Sequence, residues 1–456
     1  MTRPRLLAGR RLLLGGILAC VASPACAQGA PATTADGFHL SGTSRLRYEA
    51  IDGQPRVGFS EADDLVNLRS TLMADYRDGP LLLVAELWDS RVYGGNNRTP
   101  ITTGEVNAVA FVQAYVEFKA EAPFGPGITG SVQLGRFLLN LGSRRLVAAD
   151  DYRNTTNGYT GGRLDLDLRG GWKATAIYVL PQQRRPDDFD RLSRNVVIGD
   201  HEGTDLVLWG GLISKAKAIG NVMLEGSFFH LGEHDQLGRP TRDRSLNTAA
   251  IRIMRDPAPG KLDFELEGIA QSGRVSTGFD ANAARQDVAA WFLHADIGYT
   301  FLAPWKPRLS IDYDHASGDK PGGRNGRFDT LFGMRRADLG PAGLYSAFGR
   351  TNFISPGVRF EAVPGKRIEL MASLRPLWLA SRTDGFSTTG VRDASGRSGR
   401  FAGTQFDGRV RHQLSRALRL ELNTVLLAKG RFLREAPTAP PGKWTRYASA
   451  NMMVSF

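Results

Sequence analysis

From about Phe38 to Phe456 the chain is divided by Gly, Pro, Asn and Asp into stretches of about ten residues, and within them polar and apolar residues alternate with period two. Tyr159 to Arg169 is the clearest stretch: Arg163, Asp165, Asp167 and Arg169 fall on one face, and Leu164, Leu166 and Leu168 on the other. Successive side chains of a strand point to opposite faces, so this strand meets water on one side and an apolar medium on the other. In a soluble sandwich the leucine face would need a second sheet; in a barrel spanning a bilayer it needs only lipid.

The pattern recurs along the chain. Leu46 and Tyr48 oppose Arg45, Arg47 and Glu49; Leu68, Leu72 and Tyr76 oppose Asn67, Arg69 and Thr71. Leu262, Phe264 and Leu266 oppose Asp263, Glu265 and Glu267; Leu370 and Leu374 oppose Glu369, Ser373 and Arg375; Leu420 and Leu422 oppose Arg419, Glu421 and Asn423. Leu81 to Trp88 alternates less cleanly. There are roughly eighteen such segments, give or take about two, and an even number is expected of a bacterial barrel. No linker or compositional break divides them, so residues 28–456 read as one all-β domain, a single transmembrane antiparallel barrel in a bacterial outer membrane. Tyr48, Tyr76, Trp172, Trp291, Tyr299, Trp378 and Trp444 lie near segment ends, where interfacial aromatic girdles sit. In the last segment Ala448, Ala450, Met452, Val454 and Phe456 share a face, and an alternating strand ending in phenylalanine resembles the signal read by the barrel assembly machinery. The long intervals from Arg91 to Glu105, Pro181 to Gly203, Gly318 to Tyr345 and Thr383 to Arg400 are expected to be extracellular loops or a plug.

Residues 1–27 read as a cleaved secretory signal. Arg3, Arg5, Arg10 and Arg11 form its basic start, Leu12 to Ala19 its apolar run, and Ala25-Cys26-Ala27 the site cut after Ala27. The apolar run is too short for a membrane anchor. Leu18 is bulky for a lipoprotein site at Cys20, and a twin-arginine reading of Arg10-Arg11 is set aside because barrels cross the inner membrane unfolded. Cleavage removes Cys20 and Cys26, leaving no thiol for a disulfide, a metal or a nucleophile. It also removes four arginines and no acids, so the formal charge falls from +12 to +8. A basic secreted chain meets anionic lipid or an acidic solute; nucleic acid is a poor partner outside the cytoplasm. The mean hydropathy of −0.25 suits a barrel whose strands are apolar on one face only.

Little else carries chemistry. His230 and His234 flank Glu233 at a strand end, and His201-Glu202 lies in a loop; neither pattern outweighs a solvated turn. Asp150-Asp151 and Asp187, Asp188 and Asp190 lack the ligand spacing of a calcium loop. Hydrolase, zincin, P-loop and dinucleotide motifs are all missing, so no cofactor or metal is expected. What stands out is arginine on the polar strand face. Guanidinium stays charged when dehydrated and pairs bidentately with carboxylate, so a ring of it favours an anionic solute. Alternation points Arg45, Arg47, Arg69, Arg409 and Arg411 into the lumen; Asp165 and similar acids would hold some arginines in place and weaken the net field. For any single residue, mutual neutralisation by ion pairs is about as good an account.

The stretch from Leu134 to Asn154, followed by Gly158-Tyr159-Thr160-Gly161-Gly162-Arg163-Leu164, resembles the alginate export porin family. So do Ala316 to Asp319, Phe328 to Gly333, Asn352 with Pro356-Gly357-Val358, Gly403 to Asp407, and Lys429 to Leu433. The resemblance covers most of the chain after the signal. It implies an eighteen-stranded monomeric barrel whose arginine-rich constriction passes a polyuronate outward. By the same resemblance Arg136 is the arginine of the family's Gly-Arg-Gln strand, with Phe137 in place of the polar residue, and Arg153 or Arg163 would be a nearby pore residue. The leading expectation is a passive, anion-selective channel for an acidic polysaccharide, with outer-membrane lipid and periplasmic secretion proteins as further partners. A nutrient porin for small anions or sugars is the second reading, and an outer-membrane enzyme a remote third.

Overall fold

The computed structural model describes residues 36–150, 152–236, 238–280, 282–335 and 338–456. The signal-peptide reading and Asp151 lie outside these residues. Nineteen strands form one sheet. They are β1 (Gly37–Asp52), β2 (Ala62–Asp78), β3 (Leu81–Gly94), β4 (Asn107–Glu121), β5 (Thr129–Leu138) and β6 (Gly158–Leu168). There follow β7 (Trp172–Pro181), β8 (Leu206–Ile219), β9 (Val222–Glu233), β10 (Ser245–Arg255), β11 (Leu262–Ser276), β12 (Arg285–Thr300) and β13 (Arg308–Ala316). The two-residue β14 (Arg324–Asn325) runs parallel to β12 at the rim. Then come β15 (Phe353–Gly365), β16 (Ile368–Trp378), β17 (Phe401–Gln413), β18 (Leu418–Lys429) and β19 (Trp444–Ser455).

Without β14, eighteen antiparallel strands pair in chain order, and β1 closes on β19 from Thr43↔Ser455 to Asp52↔Arg446. Closure matters because lipid cannot hydrogen-bond an open sheet edge. At the seam the Gly42 and Phe456 backbones exchange hydrogen bonds at 3.1 Å, and the Phe456 ring lies where a side chain at Gly42 would stand. Connections alternate in length. Tight turns at Gly79–Pro80 and Gly220–Asn221 mark the periplasmic end, and the long connections all lie at the other end.

Burial is inverted relative to a soluble protein. Leu46, Tyr48 and Leu72 are 43%, 48% and 45% exposed on the outer face, whereas Arg47, Glu49 and Arg69 are 2%, 0% and 1% exposed on the inner face. Such a surface is stable only against hydrocarbon, which places the barrel in the outer membrane. Four of the girdle candidates (Tyr48, Tyr76, Trp291 and Trp444) are among the exposed aromatics.

The apolar core sits inside the barrel. Residues 139–157, between β5 and β6, and residues 317–352, between β13 and β15, fold into the lumen and touch through the Val147↔Phe332 bridge. A side chain at Gly333 would strike the Arg145 carbonyl, so glycine permits this approach. Leu139, Val147, Leu344, Tyr345 and Phe348 of the two segments pack with inward residues such as Leu82, Val84 and Phe137 into one buried cluster. The four expected long intervals all start from the extracellular end of the barrel, and one of them, residues 318–345, turns into the lumen as a plug; the segment 139–157, which also enters the lumen, is not among the four.

Candidate functional site

Segment 139–157 crosses the lumen because it is tied to two distant parts of the wall. At one end, Arg45 donates to the Arg153 carbonyl at 2.7 Å and to Asn154 Oδ1 at 3.1 Å. Arg47 donates to the Tyr152 carbonyl at 2.6 Å, and Arg69 to the Arg153 carbonyl at 3.2 Å. Asn154 returns hydrogen bonds to the carbonyls of Leu68, Arg91 and Glu105. At the other end, Arg145 reaches Glu265 at 2.5 Å and Glu267 at 2.6 Å, both on β11. It also pairs with Asp338 of the second inward segment at 2.9 Å, and Arg350 holds the same carboxylate. Burial by itself would push the Asp338 carboxyl up; Arg145 and Arg350 outweigh burial and hold it well below the usual carboxylate range.

On the periplasmic side of these segments lies a cavity of about 410 Å³. Among the described residues thirteen arginines line it, against nine carboxylates and no lysine. Several arginines are held by acids on neighbouring strands. Arg308 pairs with Asp263, Asp296 and Glu361, Arg375 with Asp312 and Asp314, and Arg411 with Glu369 and Glu421, the last two at 2.8 Å each. Within the lining alone arginines exceed carboxylates by four, thirteen less nine, and acids just behind it, Asp314 and Glu369 among them, pair with lining arginines as well. Acids on neighbouring strands thus fix the planes of these guanidinium groups.

The five arginines chosen by alternation, Arg45, Arg47, Arg69, Arg409 and Arg411, all border this cavity. The residues taken from the family motif lie elsewhere. Arg163 faces the lumen outside the cavity and pairs at 2.6 Å with Asp165, an acid expected from alternation to hold arginines in place. Arg153 sits in the inward segment, bound to Asp150 at 2.9 Å and Asn157 at 2.5 Å. Arg136 corrects the expectation: its β5 neighbours Gln133 and Phe137 face inward, so it shares the outer face with the exposed Leu134. There it donates to the Phe111 carbonyl at 2.6 Å and pairs with Glu202 at 2.8 Å, buttressing the long-loop end from outside. Period two admits only one face for it, and the motif carried no information about face. The arginines missed by sequence reasoning, Arg145 and Arg350, are in inward segments where no alternation marks a side.

The remaining candidates are structural. His230 bonds Asn247 at 2.8 Å and stacks on Trp209, while His234 turns to Asp243 at 3.3 Å. His201 bonds Asp205 at 3.1 Å. Asp188 caps the short helix α1 (Phe189–Ser193), and Asp190 pairs with Arg194. Among the described residues no cluster of three His, Cys, Asp or Glu could hold a metal ion.

No curated protein sequence matches the chain closely enough to count as a relative. Solved structures share its fold at low identity. Pseudomonas aeruginosa OccK8 (OprE) aligns with a TM-score of 0.57 at 10% identity, covering 92% of this chain and 98% of that one. OccD3 (OpdP) of the same organism gives 0.56 at 11%, covering 94% and 93%. OccK2 (OpdF), solved in complex with glucuronate, gives 0.55 at 12%, covering 92% and 97%. These likenesses establish the porin-type barrel. The family model for alginate export matches residues 38–442, nearly all of the barrel. The chain therefore belongs to the alginate export family and is an outer-membrane channel rather than an enzyme.

Proposed function

We propose that the channel passes an anionic polysaccharide, an alginate-like polyuronate or another acidic exopolysaccharide, by passive diffusion along the arginine-rich side of its lumen. The observation that carries this reading is the cavity lining, with thirteen arginines, nine carboxylates and no lysine among the described residues. Membership of the alginate export family supports it. Many similar, partly neutralised guanidinium groups let a polymer slide, whereas one strong site would hold it. Arg409 and Arg411 are the proposed solute-facing residues; Arg45, Arg47 and Arg69 border the same cavity while holding the inward segment, and Arg136 is not among them.

A second reading, an uptake porin for small anions or sugars, has its own support. Segments 139–157 and 317–352 narrow the lumen between two cavities of about 410 and 480 Å³, each of small-molecule size. A related fold has also been solved with a uronate. Efflux from proteoliposomes loaded with acidic or neutral oligosaccharides of graded length separates the readings. Acidic chains well beyond a disaccharide should leave several-fold faster than neutral chains of equal length. Passage of monomers only would favour uptake, and equal passage of acidic and neutral chains would remove the role of the arginines.

A further inference from the structure

A second cavity, of about 480 Å³, lies at the extracellular end, walled by the ends of β9 to β12 and by segment 317–352. Its charge is more lopsided than that of the first. Among the described residues five arginines (Arg242, Arg244, Arg327, Arg335 and Arg350) line it against two carboxylates, Glu233 and Asp329. Arg244 takes both acids, at 2.7 and 2.9 Å. Arg327 pairs with Asp384, and Arg350 with Asp338. Among the described residues, Arg242 and Arg335 have no carboxylate within ion-pair distance. Arg242 donates to the Ser276 carbonyl at 2.6 Å and lies 6.0 Å from the centre of the Phe279 ring. Arg335 reaches only the Ser346 carbonyl, at 3.5 Å. Thr351 Oγ1 and Arg350 Nε, on two further lining residues, are buried without a hydrogen-bond partner. Buried polar atoms are normally satisfied, so both atoms keep hydrogen-bonding capacity beside a cationic cavity.

We infer that this cavity is a capture site for one carboxylated sugar ring, a hexuronate, at the extracellular mouth. Arg242 and Arg335 take the carboxylate, the exposed Phe279 ring covers an apolar face of the sugar, and Thr351 and Asn325 meet its hydroxyls. The free sugar acid and the terminal residue of a polyuronate present the same chemistry. The inference rests on the reading of the lumen as a path for acidic solutes and adds to it a defined station outside the inward segments.

The test is equilibrium dialysis of radiolabelled D-glucuronate against the detergent-purified channel, with glucose as the neutral control, on wild type, Arg242→Gln and Arg335→Gln. Barrel integrity is read from the mobility shift between unheated and heated samples. Saturable glucuronate binding, no comparable glucose binding and a loss of about tenfold or more in either folded variant are expected. Competition by polyuronate fragments would assign the site to chain ends, and its absence to the free sugar acid; both agree with the inference. If glucuronate does not bind saturably, if glucose binds equally, or if both folded variants bind as wild type does, the site is not what is inferred. Ion selectivity measured on the same samples reports on the channel reading separately, because that reading assigns it to the periplasmic-side arginines. A channel that selects cations yet binds glucuronate would overturn that reading and leave the site standing.

Discussion

Arg145 touches three carboxylates from two parts of the chain, Glu265 and Glu267 on the wall and Asp338 on the facing inward segment. Removing one partner of a buried charged network leaves the others uncompensated, at about 3–5 kcal/mol. Arg145→Met should therefore loosen both inward segments and raise single-channel conductance while the barrel still forms; an unchanged conductance would show that Arg145 does not hold the constriction. The pH dependence follows from the sign of the Asp338 shift. Its depressed carboxyl contributes stability that is complete above the ordinary aspartate value of about 3.9 and is lost only as pH falls through the lowered value. Wild-type conductance should thus stay level from neutral pH down to about 5, and a steep rise over that interval would contradict the assignment. At this scale the sequence was legible wherever a residue sat on a regular strand. Arg45 and Arg409 could be placed by counting in twos, whereas Arg136 was placed by motif and landed on the wrong face.

Strands were legible as elements because lipid on one side and a charged lumen on the other enforce alternation. β3 shows where that signal fades. Leu82, Val84, Trp88 and Val92 are apolar and face inward, because here the lumen holds the packed inward segments rather than water. For the same reason segment 139–157 was not expected to be a separate loop: Leu139, Leu141, Leu146 and Val147 are core residues, and its Gly-Ser-Arg-Arg turn alone marks a break. Replacing residues 143–153 with a short Gly-Ser linker should leave a heat-modifiable barrel and increase conductance several-fold. A collapse of the barrel would instead show that the segment is needed for folding, and unchanged conductance that it does not narrow the path.

For the whole molecule, the inverted burial and the closed ring make lipid part of the fold. Leu72, 45% exposed on the outer face of β2, is a direct probe. Leu72→Arg should destabilise the protein by roughly 2–4 kcal/mol in bilayer unfolding titrations if it lies near the midplane, and Thr71→Ser, on the lumen side, by far less. Equal effects would contradict the assignment of faces. The strand number could be counted in advance because each crossing costs a stretch of fixed length, but the interior could not, since the contacts that fill it join residues more than a hundred positions apart, as Arg145 and Glu265 are. The central claim is that surplus guanidinium charge in that interior selects the solute. Its most direct measurement is the zero-current potential of the purified channel in a planar bilayer under a salt gradient, before and after adding polyuronate. Anion selectivity, block by polyuronate and weakening of both by Arg409→Gln are predicted; cation selectivity, or indifference to the polymer, would contradict the account.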